Sequence, residues 1–488
     1  MYIYKVSKDE VIEGLDAEKL KLQDKNTALE HEITQLKKLI FGARSEKFKP
    51  THIDVNQLNM FDDIEDQKEE VPSPKTEVKG YTKTKKSHPG RQPLPDHLPV
   101  EEVIIEPQED ITGLTKIGEE ITEVLDYTPA SILKRRYIRP KYAKANGEGV
   151  LVADMPSRPL PKAIAEAGLL ANIAVSKFVE HTPFYRQIQK FNRDYQLPIP
   201  SSTLNDWFAA TCTLLEPLYN QLKQKVLGTD YLQADESPIK VLDTDKKGKT
   251  HQGYMWVYHN PLNKTVLFNY RKGRGQHGPK EILQNYQGIL QCDGYTVYDK
   301  IGSSGQITLA GCLVHVRRKY IEAKDSDATM ANHALDIFAK IYKLEKQAKL
   351  SDDRKSFRTG HTLPLLQELK DWVDEKAIIV LPKSPIGKAM SYTIKQWPKI
   401  INIFSDGRIE LDNNLIENKI RPLALGRKNY LFAGSHKGAD RIAMMYSFFA
   451  TCKANNVNPY NWLKSTLEQI PSCKITELDK LLPLSQDT

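Results

Sequence analysis

Tyr231-Leu232-Gln233-Ala234-Asp235 and Gly288-Ile289-Leu290-Gln291-Cys292-Asp293 are two short apolar runs that each arrive at an aspartate. Runs of this length, bounded by turn residues such as Gly294, read as buried strands. Two more strand patterns lie between them, over residues 254–259 and 265–270, the first rich in aromatics, and a helical pattern covers 278–286. Beyond the second aspartate come a fifth strand over 307–311 and a helix over 313–324 that bears His315, Arg317, Arg318 and Lys319.

Three strands, a helix, a strand, a connection, a strand and a helix is the order of a ribonuclease-H-like α/β domain, a mixed sheet with helices on both faces. Its first and fourth strands lie side by side, so Asp235 and Asp293 are expected as neighbours at one edge of the sheet. That placement suits phosphodiester chemistry. Two divalent cations about 3.5–4 Å apart can hold the attacking and leaving oxygens. Mg²⁺ takes hard oxygen ligands, usually one or two carboxylates with waters and phosphate oxygens.

The third candidate is Glu417, in Leu411-Asp412-Asn413-Asn414-Leu415-Ile416-Glu417-Asn418-Lys419-Ile420-Arg421. Asp412 or Asn413 can cap a helix there, and Glu417 falls about one turn inside it. Arg421, four residues on, shares its face and can pair with Glu417 or reach a phosphate. Singly, each carboxylate has an ordinary reading: Asp293 before Gly294 suits a turn, and Asp235 or Glu417 suits the surface or a cap. Their joint placement on the expected elements favours the catalytic reading, with all three as ligands of Mg²⁺ and with Mn²⁺ as a substitute.

Outward from this core, residues 161–228 read as helices punctuated by Pro198 and Pro200, with Ser201 or Ser202 capping the last. A helix-turn-helix and a plain helical bundle fit that spacing equally well. The core is expected over 229–329 and 406–450, split by a helical insertion over 330–405 that lacks strand alternation, and followed by a helical tail over 451–488. Residues 99–160 read as a small β-rich segment with strands over 101–106 and 119–127 and a basic strand over 134–139. Residues 49–98, with an acidic run and then a Pro- and Lys-rich stretch ending near Gly90-Arg91-Gln92-Pro93, have the composition of a disordered linker.

At the N-terminus, over residues 1–48, Leu15, Leu22, Leu29 and Leu36 recur every seven residues, and Ile12, Lys19, Asn26, Ile33 and Ile40 fill the other core position. Leucine at one position with a buried asparagine at the other favours a two-stranded parallel coiled coil, and hence a homodimer or higher oligomer. A single amphipathic helix packed on its own chain is the alternative.

Bulk composition is consistent with this. Across 488 residues the net charge is +8 and the pI about 8.9, which fits a polyanionic partner without requiring one. Mean hydropathy is −0.51, and no apolar run approaches the ~20 residues of a membrane span. A cytoplasmic, nucleoid-associated protein is expected. The five cysteines form no CxxC pair, which nearly excludes a cysteine-rich zinc site.

Several blocks resemble one family. They are Ala234-Asp235-Glu236-Ser237-Pro238, Cys292-Asp293-Gly294-Tyr295, His315-Val316-Arg317-Arg318-Lys319-Tyr320, Asp412-Asn413-Asn414 through Glu417, and Gly426-Arg427-Lys428-Asn429-Tyr430-Leu431-Phe432-Ala433-Gly434-Ser435. Together with Leu39-Ile40-Phe41-Gly42, Arg44-Ser45-Glu46-Lys47 and Asn458-Pro459-Tyr460, they resemble the transposase of the insertion sequence 66 family over most of the chain. The resemblance implies a DDE-type transposase with Asp235, Asp293 and Glu417 as its triad and a helical insertion before the third carboxylate. It also implies inverted-repeat DNA ends as substrate, and elements of this kind usually encode small accessory proteins. His315, Arg317, Arg318, Lys319, Arg421, Arg427 and Lys428 are the expected DNA contacts. One departure stands out: where the family commonly carries two cysteine pairs, residues 107–113 and 143–146 hold none, so a zinc-less version of that domain is expected. A nuclease of the same fold that cuts without joining, and a DNA-binding protein with a dead site, are the rival functions.

Overall fold

The computed structural model describes residues 156–485 apart from 162, 243–247, 304 and 352, together with 132–135, 137–138, 141–143 and 150–152. The heptad segment, the linker and most of the β-rich segment lie outside the described residues. Of the basic strand expected over 134–139, the described residues Lys134, Arg135, Tyr137 and Ile138 are exposed and irregular. With Leu133 and Ile138 open to solvent, that stretch has no buried face to fix a strand register. Further on, β1 (Lys141–Ala143) and β2 (Val150–Val152) pair antiparallel.

Three helices, α1 (Ala167–Phe178), α2 (Phe184–Tyr195) and α3 (Ser201–Leu227), precede the main sheet. Pro200 occupies the N-cap of α3 with φ −60° and ψ 144°. Ser201 and Ser202, expected as caps, therefore fall inside the first turn, because Pro200 already has the extended backbone a cap requires. α3 buries one face along its length, from Leu204 to Val226, in the same apolar cluster as the sheet strands.

The sheet holds β3 (Tyr231–Leu242), β4 (Thr250–Asn260), β5 (Thr265–Arg271), β6 (Gly288–Gln291) and β7 (Ile307–Ala310), in the order β5-β4-β3-β6-β7. The first three are antiparallel neighbours, while β3, β6 and β7 run parallel. Parallel pairs need crossovers, and α4 (His277–Ile282) and α5 (Thr296–Gly302) fall within them. Tyr231 to Ala234 are all buried, the continuous burial of a strand covered on both faces. The first and fourth strands of the sheet are adjacent, as expected from the element order.

The backbone is tightly packed where β6 begins. Gly288 has φ +133°, and a Cβ there would stand 2.3 Å from the carbonyl oxygen of Asp230. The close approach lets the Ile289 amide bond that same oxygen at 2.7 Å. Gly288→Ala is expected to cost about 2–4 kcal/mol through strain and a backbone clash, read as a lower urea midpoint.

The edge strand β5 is closed by α12 (His436–Ala454). Ser447 Oγ accepts from the Phe268 amide at 2.7 Å and Thr451 Oγ1 from the Val266 amide at 3.1 Å, so donors that would invite another chain are satisfied internally. α6 (Leu313–Ala323), α7 (Ala328–Ala348), α8 (Arg354–Phe357), a π turn (Arg358–Thr362), α9 (Leu363–Ala377) and α10 (Pro385–Ile401) follow β7. They build a second apolar cluster around Tyr320, Phe338, Leu369 and Met390 that also takes in Tyr231 and Ala310 of the sheet. α11 (Asn414–Tyr430) returns to β3, and α13 (Pro459–Gln469) packs near α1. Among the described residues no helix is long and apolar enough to cross a membrane.

Candidate active site

Asp235 lies in the middle of β3 rather than at its end, because β4 stays paired with β3 as far as Leu242↔Thr250. On the other side β6 stops pairing at Gln233↔Gln291. That edge of β3 is next covered further on, where Arg427 donates to Ser237 Oγ at 2.9 Å and to the Pro238 carbonyl at 2.6 Å and Val241 bridges Ala433. Asp235 therefore sits in the gap between two covered stretches. Side chains alternate along a strand, so it shares a face with Gln233 and Ser237.

Asp293 reaches the same place by the same count. Gln233 and Gln291 are register partners, and each aspartate stands two residues beyond its glutamine. Asp293 Oδ1 accepts from the Tyr295 amide at 2.9 Å, which fixes the turn. α10 then packs on that turn: a Cβ on Gly294 would lie 2.5 Å from Tyr392 Oη and 3.0 Å from Gln396 Nε2.

Glu417 lies in the first turn of α11, where a carboxylate is favoured by the helix dipole. A buried polar network sets where this helix starts. Tyr231 Oη donates to Gln291 Oε1 at 2.6 Å and accepts from the Glu410 amide at 3.1 Å. Gln291 Nε2 bonds the Glu410 carbonyl at 2.7 Å, and Gln233 Nε2 bonds Gln291 Oε1 at 3.0 Å. Leu313 bonds the Leu411 carbonyl at 3.0 Å, and Asp412 Oδ1 accepts from the Asn414 amide at 3.0 Å. The segment leading to Glu417 is thus tied to the two strands that carry the aspartates.

The electrostatics follow from that convergence. Burial pushes the Asp235 carboxyl well above the usual range, and the charges of Glu236, Asp293 and Glu417 push it the same way; the Glu236 amide, 2.7 Å from Oδ1, opposes them. His315 Nε2 stands 3.9 Å from Glu417 Oε1. Burial lowers the His315 pKa, while Glu417 and Asp293 pull it up. Among the described residues no three His, Cys, Asp or Glu side chains close together at metal-ligand range. The donor chemistry nevertheless fits a hard cation: a half-buried carboxylate whose strongest charged neighbours are three other carboxylates gains most from a divalent ion bound to oxygen.

A profile described as "Transposase IS66 family" matches residues 162–441, more than half of the chain. The chain belongs to the IS66 family of transposases. Profiles described as "IS66 C-terminal element" and "Transposase C of IS166 homeodomain" match residues 447–484 and 28–103. The chain is 31% identical to the uncharacterized protein y4jD of Sinorhizobium fredii over 484 residues, covering 93% of this chain and 94% of that one. It is 28% identical to the uncharacterized protein y4hP of the same organism over 502 residues, with 93% and 88% coverage. Membership of the IS66 family assigns the chain to DNA transposition and implies that it binds DNA.

The basic residues expected at DNA have mixed surroundings in this IS66 chain. Arg318 and Lys428 are exposed, while Arg317 and Arg421 are half-buried. Lys319 pairs with Glu322 at 2.7 Å, and Arg427 clamps the outer half of β3. Sequence reasoning passed over Glu236 and Arg274. Arg274 Nη2 and Nε bond Glu236 Oε1 at 2.6 and 2.9 Å, and Tyr298 Oη donates to Glu236 Oε2 at 3.1 Å. The signal was present in Arg271-Lys272-Gly273-Arg274-Gly275-Gln276-His277, a basic stretch interleaved with glycine.

Proposed function

We propose that this transposase cuts DNA at the ends of an insertion element and joins those ends to target DNA at a ribonuclease-H-like site, with Asp235, Asp293 and Glu417 as its catalytic carboxylates. The observation that carries the reading is that Asp235 and Asp293 stand two residues beyond one register pair of adjacent parallel strands, with Glu417 near enough to raise the Asp235 pKa. The β5-β4-β3-β6-β7 order supports the architecture.

Asp235, Asp293 and Glu417 would hold two Mg²⁺, or Mn²⁺ in their place; bound there, the ions would activate the attacking oxygen and neutralise charge on the transferring phosphate. The strands fix the two aspartates and the glutamine–tyrosine network fixes Glu417, so the ligands are held before substrate arrives. His315 Nε2 stands 3.9 Å from Glu417 Oε1 on the side of α6, where burial lowers its pKa. In the first step a water oxygen bonds phosphorus at the element's end as the P–O3′ bond there breaks, leaving a 3′-OH on the element strand and a 5′-phosphate on the flanking DNA. In the second, that 3′-OH bonds a target phosphorus as the target's own P–O3′ bond breaks. One phosphodiester replaces another, and no covalent enzyme intermediate is required. Arg317, Arg318, Lys319, Arg421, Arg427 and Lys428 would hold the strands, and the heptad leucines Leu15, Leu22, Leu29 and Leu36 would pair protomers so that two ends are held together.

The test uses DNA carrying the element's flanking repeats, with and without Mg²⁺, alongside precleaved ends. Mg²⁺-dependent cleavage and joining of the precleaved ends is the expected result. Cleavage without joining would replace the transposase reading with a nuclease, and inactivity of the intact chain on both substrates would remove the enzyme reading.

A further inference from the structure

We infer that the loop over residues 271–277 is a phosphate-binding site for the DNA strand that enters between Asp235 and Asp293, with Arg274 and Lys272 as its contacts. The inference rests on the proposed transposase chemistry. Its first support is anchorage. Arg274 is held on one side by Glu236, the residue after Asp235, at 2.6 Å. On the other side its guanidinium lies 4.1 Å from the ring centroid of Tyr295, two residues after Asp293, and Tyr295 Oη donates to the Arg274 carbonyl at 3.0 Å. One arginine is thus attached to both aspartate-bearing elements.

The second support is what the loop leaves available. Glu236 engages the Nε and Nη2 side of the guanidinium, and the side chain remains 47% exposed, so the Nη1 edge stays open to a second anion. Lys272, Gly273, Arg274 and Gly275 form an exposed run, and a Cβ built on Gly275 meets nothing within 4 Å. A polynucleotide backbone can therefore approach the loop's own backbone. Arg271 is already committed to Glu281 at 2.9 Å and is not a contact. Beside the loop, a groove of about 280 Å³ is lined by Gln276, Lys280, Gln284, Lys300, Ser303 and Gln306 together with apolar residues, and no carboxylate. Amides, a hydroxyl and two lysines are phosphate-compatible groups.

The third support is electrostatic necessity. Four carboxylates, those of Asp235, Glu236, Asp293 and Glu417, repel an incoming phosphate chain. Screening in about 0.1 M salt confines charge effects to roughly 10 Å. Cations farther away than that offset little of the repulsion, whereas Arg274 stands against Glu236 itself. Arginine suits the position because its planar fork can bond a carboxylate along one edge, stack on an aromatic face and keep donors for phosphate.

The experiment measures binding of the full chain to a duplex carrying one element end, in EDTA, by fluorescence anisotropy across a salt series. Lys272→Ala and Arg274→Ala together should weaken binding about tenfold or more at low salt and flatten the log K against log salt slope by roughly 1 to 2. Arg274→Lys, which keeps the charge, should recover part of the slope relative to Arg274→Ala. An unchanged slope would overturn the assignment, and so would a lowered melting temperature with the slope intact, which marks Arg274 as a brace for Glu236 alone. If the unaltered chain failed to bind the duplex at low salt, the transposase reading would fall, and the loop assignment with it.

Discussion

Asp235→Asn is expected to abolish cleavage and joining, leave DNA binding in place, and raise the melting temperature of the metal-free protein. The loss follows from the ligand role. A metal that stabilises transition-state charge contributes several kcal/mol, and at 1.36 kcal/mol per decade its displacement costs about 10³-fold or more. The gain in stability follows from the pKa. Asp235 is raised above the usual range by burial and by Glu236, Asp293 and Glu417. A carboxyl whose folded-state pKa is raised costs nothing below the unfolded value near 3.9, where both states are protonated. As pH climbs from there through the raised pKa, the folded state is progressively penalised, and at higher pH the full penalty remains. Asparagine carries no such penalty. The variant should therefore melt higher than the parent at neutral pH in EDTA, and the gap should close toward pH 4. Each kcal/mol relieved corresponds to roughly 2–4 °C in a domain of 150–250 residues. Added Mg²⁺ should raise the parent's melting temperature by mass action and leave the variant's nearly unmoved. Equal melting temperatures in EDTA, or a Mg²⁺ shift preserved in the variant, would remove Asp235 from the site.

Much of this arrangement was legible in the sequence because it depends on local pattern. The two apolar runs ending at aspartates gave the paired strands, and the count from Gln233 and Gln291 to Asp235 and Asp293 is the same in each. Boundaries were less legible. A strand's length depends on its partner, and nothing within residues 231–235 announces that β4 will extend β3 to Leu242. The environment of Glu417 was hidden for a related reason. Gln233, Gln291 and Tyr231 look like ordinary strand residues until 410–412 is folded against them, more than 100 residues away in the chain. Arg427 shows the same limit: nothing in the Gly-Arg-Lys run announces that its guanidinium also bonds Ser237 and Pro238. The heptads, the linker and most of the zinc-less segment lie outside the described residues and rest on sequence pattern.

Arg358→Ala should be the most destabilising of the single substitutions considered, by about 3–5 kcal/mol, and should lower activity although Arg358 touches none of the three carboxylates. Arg358 is 1% exposed and opens the π turn. Its Nε and Nη2 bond both oxygens of Glu345 at 2.9 and 2.7 Å, and Nη1 bonds the Ile409 carbonyl at 2.7 Å. Arg354 shares Glu345 and passes on to Glu410 at 3.1 Å, whose other oxygen meets Lys349 at 2.8 Å. Removing Arg358 leaves Glu345 as a buried charge with one partner fewer, and an incompletely compensated buried charge carries the cost just stated. The effect reaches the site because Ile409 and Glu410 begin the segment that Tyr231 and Gln291 hold and that ends at Glu417. Loosening it should reduce joining of precleaved ends while duplex binding in EDTA stays near the parent's. Replacing the pair together, as Glu345→Leu with Arg358→Met, removes the stranded charge and should recover most of the urea midpoint, since apolar substitutes for a buried ion pair are often neutral or better. Joining should recover less than stability does, because methionine cannot bond the Ile409 carbonyl. If Arg358→Ala unfolds no more readily than the parent, the network is not a structural brace. If the double variant regains stability and full joining together, Arg358 has no part in positioning Glu417.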